Sequence, residues 1–174
     1  MKILGIDPSL TSTGLAIVYG RTALVDRITT DATGLARLHA IVGRVRTWLD
    51  GCDLAVIEGP AYGSAGGQRG HHERAGLWWL LVDQLDTFAV PCAVVPPAAR
   101  ARYATGKGNA SKDAVLSAVV RRYTDVDVDG NDQADALVLA AMGARRLGRP
   151  VEASLPVNNL DAMRGADWPN GLDA

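Results

Sequence analysis

Residues 2–30 read KILGIDPSLTSTGLAIVYGRTALVDRITT, and the reading of this stretch decides the fold. KILGID (2–7) is a short apolar run that ends on an acid. PSLTST supplies turn residues, GLAIVYG (14–20) is a second apolar run, and RTALVDRITT (21–30) alternates well enough for a third. Apolar runs of strand length punctuated by Pro, Ser, Thr and Gly mark strands and tight connections. The Gly20 region has the composition of a hairpin turn. The chain is therefore expected to open with an antiparallel three-strand meander whose first strand ends at Asp7.

Downstream, Leu35, Leu38, Val42, Val45 and Leu49 recur at three- and four-residue spacing, which predicts a helix over about 34–49 with Thr33 as its N-cap. LAVIE (54–58) is a continuous apolar run, as expected of a central strand buried on both faces. GPAYGSAGGQRG (59–70) is glycine-rich with little apolar content and reads as a loop. A helix over 71–88, a strand at PCAVVP (91–96), a short helix over 97–103, a helix capped by Ser111 and running to about Tyr123, and a helix over 130–147 complete the pattern. Residues 149–174 mix Pro, Asn, Gly and Asp without periodicity, and a loosely ordered tail is expected there after a single domain over 1–148. Three antiparallel strands, a crossover helix, a fourth strand and then alternating helices describe one mixed α/β sheet of five strands flanked by helices.

The bulk numbers fit one domain with a real core: 174 residues, 48% apolar and 21% charged. No stretch approaches the roughly 18 apolar residues of a membrane span, and MKILGID reads as a strand and not as a signal peptide. Cys52 and Cys92 have neither metal-ligand spacing nor a disulfide framework, so a reducing, cytoplasmic compartment is expected. The net charge of −1 hides a split. Residues 61–124 hold eight basic and four acidic side chains, whereas 125–174 hold four basic and nine acidic. A phosphate backbone responds to such a local cationic block rather than to the total.

Four acids stand out. Asp7 and Glu58 each terminate an apolar run, where a charge is costly unless it has a partner or a task. Asp132 and Asp135 lie three apart, so both can share one helix face, and ALVLAA directly after them must dock that helix on the core. Singly, each has a structural explanation: Asp7 as a turn former before Pro-Ser, the helical pair as first-turn acids favoured by the helix dipole. Together, converging carboxylates repel one another unless a cation lies between them. Oxygen ligands without a His or Cys cluster select Mg²⁺ or Mn²⁺, and two such ions about 4 Å apart are the usual apparatus for attack on a phosphodiester.

GIDPSLTSTGLAIV, VIEGPAYG, TGKGNASKDAV and NDQADALVLA, in series over residues 3–147, resemble the RuvC family of Holliday-junction resolvases. The resemblance implies an RNase H-like fold, a homodimer, and a magnesium-dependent endonuclease that resolves four-way DNA junctions during recombination and repair. It implies that Asp7, Glu58, Asp132 and Asp135 bind two Mg²⁺, with Mn²⁺ as a substitute. It places Lys107 and Lys112 near the scissile phosphate and the DNA backbone, Lys107 with a catalytic part. A lysine in a Gly-flanked loop can follow a phosphate as a point charge, and one at a helix N-terminus adds to free backbone N–H groups. Tyr62 falls near a position where the family carries an aromatic that stacks on unpaired bases. Arg69 and Arg74, with His71 and His72 between them, form a basic cluster suited to phosphate contact. The host expected is a bacterium or a phage in one.

LWWLLV (77–82) places apolar side chains all round its helix, although a helix on a sheet needs only one apolar stripe. Either the C-terminal segment covers the surplus, or the same helix of a second copy does so across a two-fold axis, with Trp78 and Trp79 as anchors. The rivals to a junction resolvase are another nuclease of the same fold acting on flaps, forks or RNA–DNA hybrids, and a non-catalytic protein that binds branched DNA. An actin-like kinase or ATPase needs two such domains, which 174 residues do not accommodate.

Overall fold

The computed structural model describes residues 1–60 and 70–172. Strands β1 (Lys2–Asp7), β2 (Thr13–Tyr19) and β3 (Thr22–Ile28) form the opening meander. Helix α1 (Gly34–Arg46), strand β4 (Leu54–Glu58), helix α2 (His71–Thr87) and strand β5 (Cys92–Val95) follow. Helices α3 (Pro97–Thr105), α4 (Lys112–Arg122), α5 (Asn131–Arg146) and the short α6 (Val157–Leu160) complete the order. The five-stranded sheet runs β3-β2-β1-β4-β5. β1–β2 and β2–β3 are antiparallel and β1–β4 and β4–β5 parallel, the mixed sheet expected from the sequence.

Period-two alternation divides the core into two layers. Leu4, Ile6, Ala55 and Ile57 face α1 and α2, packing with Leu38, Ile41, Leu77 and Leu81. Ile3, Leu54 and Val56 face the opposite side with α5. Asp7 and Glu58 share the parity of this second set, so both project from the face that α5 covers. β1 and β4 are parallel neighbours with Ile6 opposite Ile57, so the two acids also stand side by side at the carboxyl ends of adjacent strands.

Helix α5 lies unusually close to the sheet. A Cβ on Gly5 would sit 2.0 Å from the Ala136 carbonyl oxygen, and one on Gly14 would sit 2.0 Å from the Asp132 carbonyl oxygen. Only glycine permits that approach at these two positions. Residues Gln133 to Ala144 of α5 are buried, as the central helix of a layer must be.

The expected loose tail is replaced by a packed one. Val151, Leu155, Met163, Ala166 and Trp168 pack against the α5-side core. Asp167 and Val94 exchange backbone hydrogen bonds of 2.9 and 2.8 Å, which covers the outer edge of β5. Glu152 is buried and accepts from the Tyr103 and Tyr123 hydroxyls and from Arg145. Asn159 donates to the Tyr103 carbonyl at 2.8 Å. These anchors are polar and single, so they leave no hydrophobic period to read. Among the described residues no helix is long and apolar enough to cross a membrane.

Candidate active site

Three elements bring the four acids together. β1 and β4 end on Asp7 and Glu58, and the first turn and a half of α5 carries Asp132 and Asp135 down onto the same face because Gly14 lets the helix touch β2. The PSLTST turn that follows Asp7 is held locally. Thr13 Oγ1 donates to the Ser9 carbonyl at 2.7 Å and accepts from the Ser9 amide at 3.1 Å, so the chain leaves β1 by a fixed path.

Burial and mutual repulsion mark these acids electrostatically. Asp7 is 8% exposed and its carboxyl is pushed well above the ordinary range, first by burial and then by the charges of Glu58 and Asp135. Asp135 is pushed up to about 6, again first by burial; Arg100 and Lys112 pull it down while Glu58 and Asp132 push it up. Asp7 and Asp135 are therefore both raised by burial and by neighbouring acids, an arrangement that a cation relieves.

One cation is already present. Arg100, from the first turns of α3, is 6% exposed. Its Nε donates to Glu58 Oε2 and its Nη1 to Asp135 Oδ1. A planar guanidinium is suited to bridging two carboxylates. Nothing in PPAARARYATG distinguishes Arg100 from the exposed Arg102, so the sequence reading missed it. The signal was topological: β5 lies beside β4, so the helix that follows β5 starts next to Glu58.

Glu58 is also tied to α2. The Trp78 indole N–H donates to the Glu58 carbonyl at 3.0 Å, and Trp79, in edge contact with Trp78 at 5.0 Å, is 66% exposed. The surplus apolar surface on α2 thus stays uncovered by the C-terminal segment at Trp79.

The remaining expected site residues divide. Lys112, at the start of α4 and exposed, exerts its charge on Asp135. Ser111 caps α4 by accepting from the Ala114 amide at 3.2 Å. Lys107 opens instead on a groove of about 760 Å³ between α3, α4 and α6, shared with Thr105, Arg121, Arg122 and Asn159. His71, His72 and Arg74 are exposed on the first turn of α2. Tyr62 and Arg69 lie outside the described residues.

The donor chemistry fits a hard divalent cation: four carboxylates with oxygen ligands only, and a guanidinium standing in for the positive charge. Among the described residues no three acidic, His or Cys side chains form a ready cage, consistent with the guanidinium lying between two of them.

A five-stranded mixed sheet of this order, with acids at two adjacent strand ends and on a covering helix, is an RNase H-like fold. Among the solved structures similar to it are two of a RuvC protein and one of a viral resolvase. Thermus thermophilus RuvC matches with a TM-score of 0.69 at 20% identity, over 86% of this chain and 98% of that one. The same protein in complex with Holliday junction substrate matches at 0.69 and 21%, over 86% and 97%. The Fowlpox virus resolvase in complex with Holliday junction DNA matches at 0.58 and 13%, over 84% and 99%. No family profile matches the sequence, and no curated protein does. The structural neighbours agree with the resemblance drawn from the four motifs.

Proposed function

We propose that this protein is a metal-dependent endonuclease that resolves four-way DNA junctions, acting in recombination and repair. The observation that carries the reading is the gathering of Asp7, Glu58, Asp132 and Asp135 at one end of an RNase H-like sheet, with Asp7 and Asp135 raised by burial and by the acids around them. The fold likeness to resolvases in complex with junction DNA supports the choice of substrate.

Asp7, Glu58, Asp132 and Asp135 would hold two Mg²⁺, or Mn²⁺ in their place, and such ions activate a water and stabilise the leaving 3′ oxygen. The chain's own contribution is placement. The parallel register of β1 and β4 holds Asp7 and Glu58 side by side, and close docking of α5 presents the helical pair to them. Lys112, whose charge reaches Asp135 from a helix N-terminus, offers charge and backbone N–H groups to the phosphate that follows. Lys107 and Arg74 are assigned to the flanking DNA backbone, with Tyr62 and Arg69 assigned to the same surface on sequence grounds. A two-fold dimer through α2 would present two such sites to one junction, so that opposing strands are nicked in pairs.

The test is cleavage of a labelled four-way junction, a linear duplex, a flap and an RNA–DNA hybrid, each with Mg²⁺ and with EDTA. Cutting of the junction alone, in Mg²⁺ alone and abolished by Asp7→Asn, is expected. Cleavage that survives EDTA or Asp7→Asn removes the metal mechanism. Equal cutting of linear duplex removes the junction preference, and preference for the hybrid reassigns the substrate.

A further inference from the structure

We infer that Arg100 is the resident counter-cation of the acidic centre, occupying Glu58 and Asp135 until a divalent metal displaces it, and so setting the affinity for that metal. This rests on the reading of the four acids as metal ligands and goes beyond it.

The geometry carries the inference. Arg100 donates from Nε to Glu58 and from Nη1 to Asp135, spanning β4 and α5 across the gap that Asp7 also faces. The oxygens engaged are Glu58 Oε2 and Asp135 Oδ1, and each lone pair directed at a guanidinium proton is withheld from a metal. The charge count points the same way. Four carboxylates balance two divalent ions, whereas four carboxylates with one guanidinium left in place carry only three net negative charges.

Burial makes the competition consequential. The Arg100 side chain is 8% exposed and those of Glu58 and Asp135 are 15% and 3% exposed, so these are not solvent-screened surface pairs. A buried charge whose partner is lost is expensive, so the three groups must either stay bridged or exchange the guanidinium for another cation. Arginine does not deprotonate, so it cannot yield by losing its charge and has to move. α3 follows β5 closely, with Pro96 as its N-cap and Pro97 as its first residue, which anchors the helix and leaves the long side chain as the part that moves. Swung outward, the guanidinium stands at the rim of the site, where a phosphate is its natural next partner.

The experiment is calorimetric titration of Mn²⁺ into the metal-free protein without DNA, comparing the wild type with Arg100→Gln and Arg100→Lys, alongside thermal melting in EDTA. If the guanidinium competes, Arg100→Gln binds Mn²⁺ tighter by on the order of tenfold, melts lower than the wild type in EDTA, and is raised more by Mn²⁺. Arg100→Lys, whose single ammonium cannot bridge in a fork, also binds tighter than the wild type, by less. A merely structural arginine predicts the opposite: its loss would loosen the carboxylates and weaken Mn²⁺ binding. Affinity unchanged or weaker in Arg100→Gln overturns the inference, and should that variant not fold, the same result in Arg100→Lys overturns it. A wild type that takes up no Mn²⁺ overturns the metal reading itself, so the two failures are told apart.

Discussion

At the scale of single residues, the acidic centre holds four carboxylates against one bridging guanidinium, so its negative charge is only partly offset. Asp7 is buried and raised by burial and by Glu58 and Asp135, and Asp135 is raised to about 6. A carboxyl whose value is higher in the folded chain than in the unfolded one holds its proton preferentially in the folded state. The folded state is therefore favoured at low pH and loses that advantage as pH rises through the folded value. In EDTA, stability should fall between about pH 4 and pH 6 as Asp135 ionises. Asp7→Asn removes one ionisation without removing an ion-pair partner. It should raise the melting temperature of the metal-free protein at pH 8 by roughly 2–4 °C, the response of a domain this size to about 1 kcal/mol, with the gain shrinking towards pH 4. The rise in melting temperature on adding Mg²⁺ should run the other way, growing from pH 5 to pH 7 because the ligands must be deprotonated. A flat EDTA profile over that range, or no difference for Asp7→Asn at pH 8, would show that neither burial nor the neighbouring acids raise these carboxyls.

At the scale of elements, close docking of α5 is what turns four acids on separate segments into a site. Gly14 is the test position, since a Cβ there would lie 2.0 Å from the backbone oxygen of Asp132 itself. Gly14→Ala should displace the start of α5, costing about 1–3 kcal/mol and lowering cleavage by on the order of 100-fold, as a misplacement of about 1 Å does. Gly43→Ala is the control: it lies inside α1 with nothing within 4 Å of its Cβ and should stabilise by up to about 1 kcal/mol. Melting curves and cleavage rates on both variants decide, and a Gly14→Ala variant with full activity would refute the role of docking. Much of this was legible beforehand. LAVIE spans β4 from Leu54 to Glu58, and strand-end acids on Asp7 and Glu58 follow from apolar runs that stop on a charge. Arg100 was not legible, because its role arises from the adjacency of β5 to β4, a relation between strands far apart in the chain. The glycine contacts were equally hidden, since Gly5 inside an apolar run looks like any small residue until α5 lies on it.

At the scale of the whole molecule, two surfaces decide whether the domain is closed on itself. One is closed by the C-terminal segment. Glu152 accepts from two tyrosines and an arginine that stand on α3, on α5 and just after α4, so it ties the segment to three places at once. Glu152→Ala leaves the two buried tyrosine hydroxyls without an acceptor and should cost about 2–5 kcal/mol, seen as a matching drop in melting temperature; a loss under about 1 kcal/mol would mean the segment is held by its apolar contacts instead. The other surface stays open. Trp79 is 66% exposed on α2 while its neighbour Trp78 is turned inward to the carbonyl of Glu58. A large exposed aromatic within the apolar 77–82 run of α2 is the feature a two-fold partner would cover. Trp79→Glu should then halve the mass measured by light scattering, and it spares the Trp78 bond that a double replacement would destroy. All four acids come from one chain, so the resulting monomer should bind Mn²⁺ with unchanged affinity. It should also nick junctions one strand at a time instead of in pairs. An unchanged mass would refute the α2 interface. Lost Mn²⁺ binding in a folded Trp79→Glu monomer would show that the site needs its partner, contrary to the geometry that places every acid on one side of one sheet.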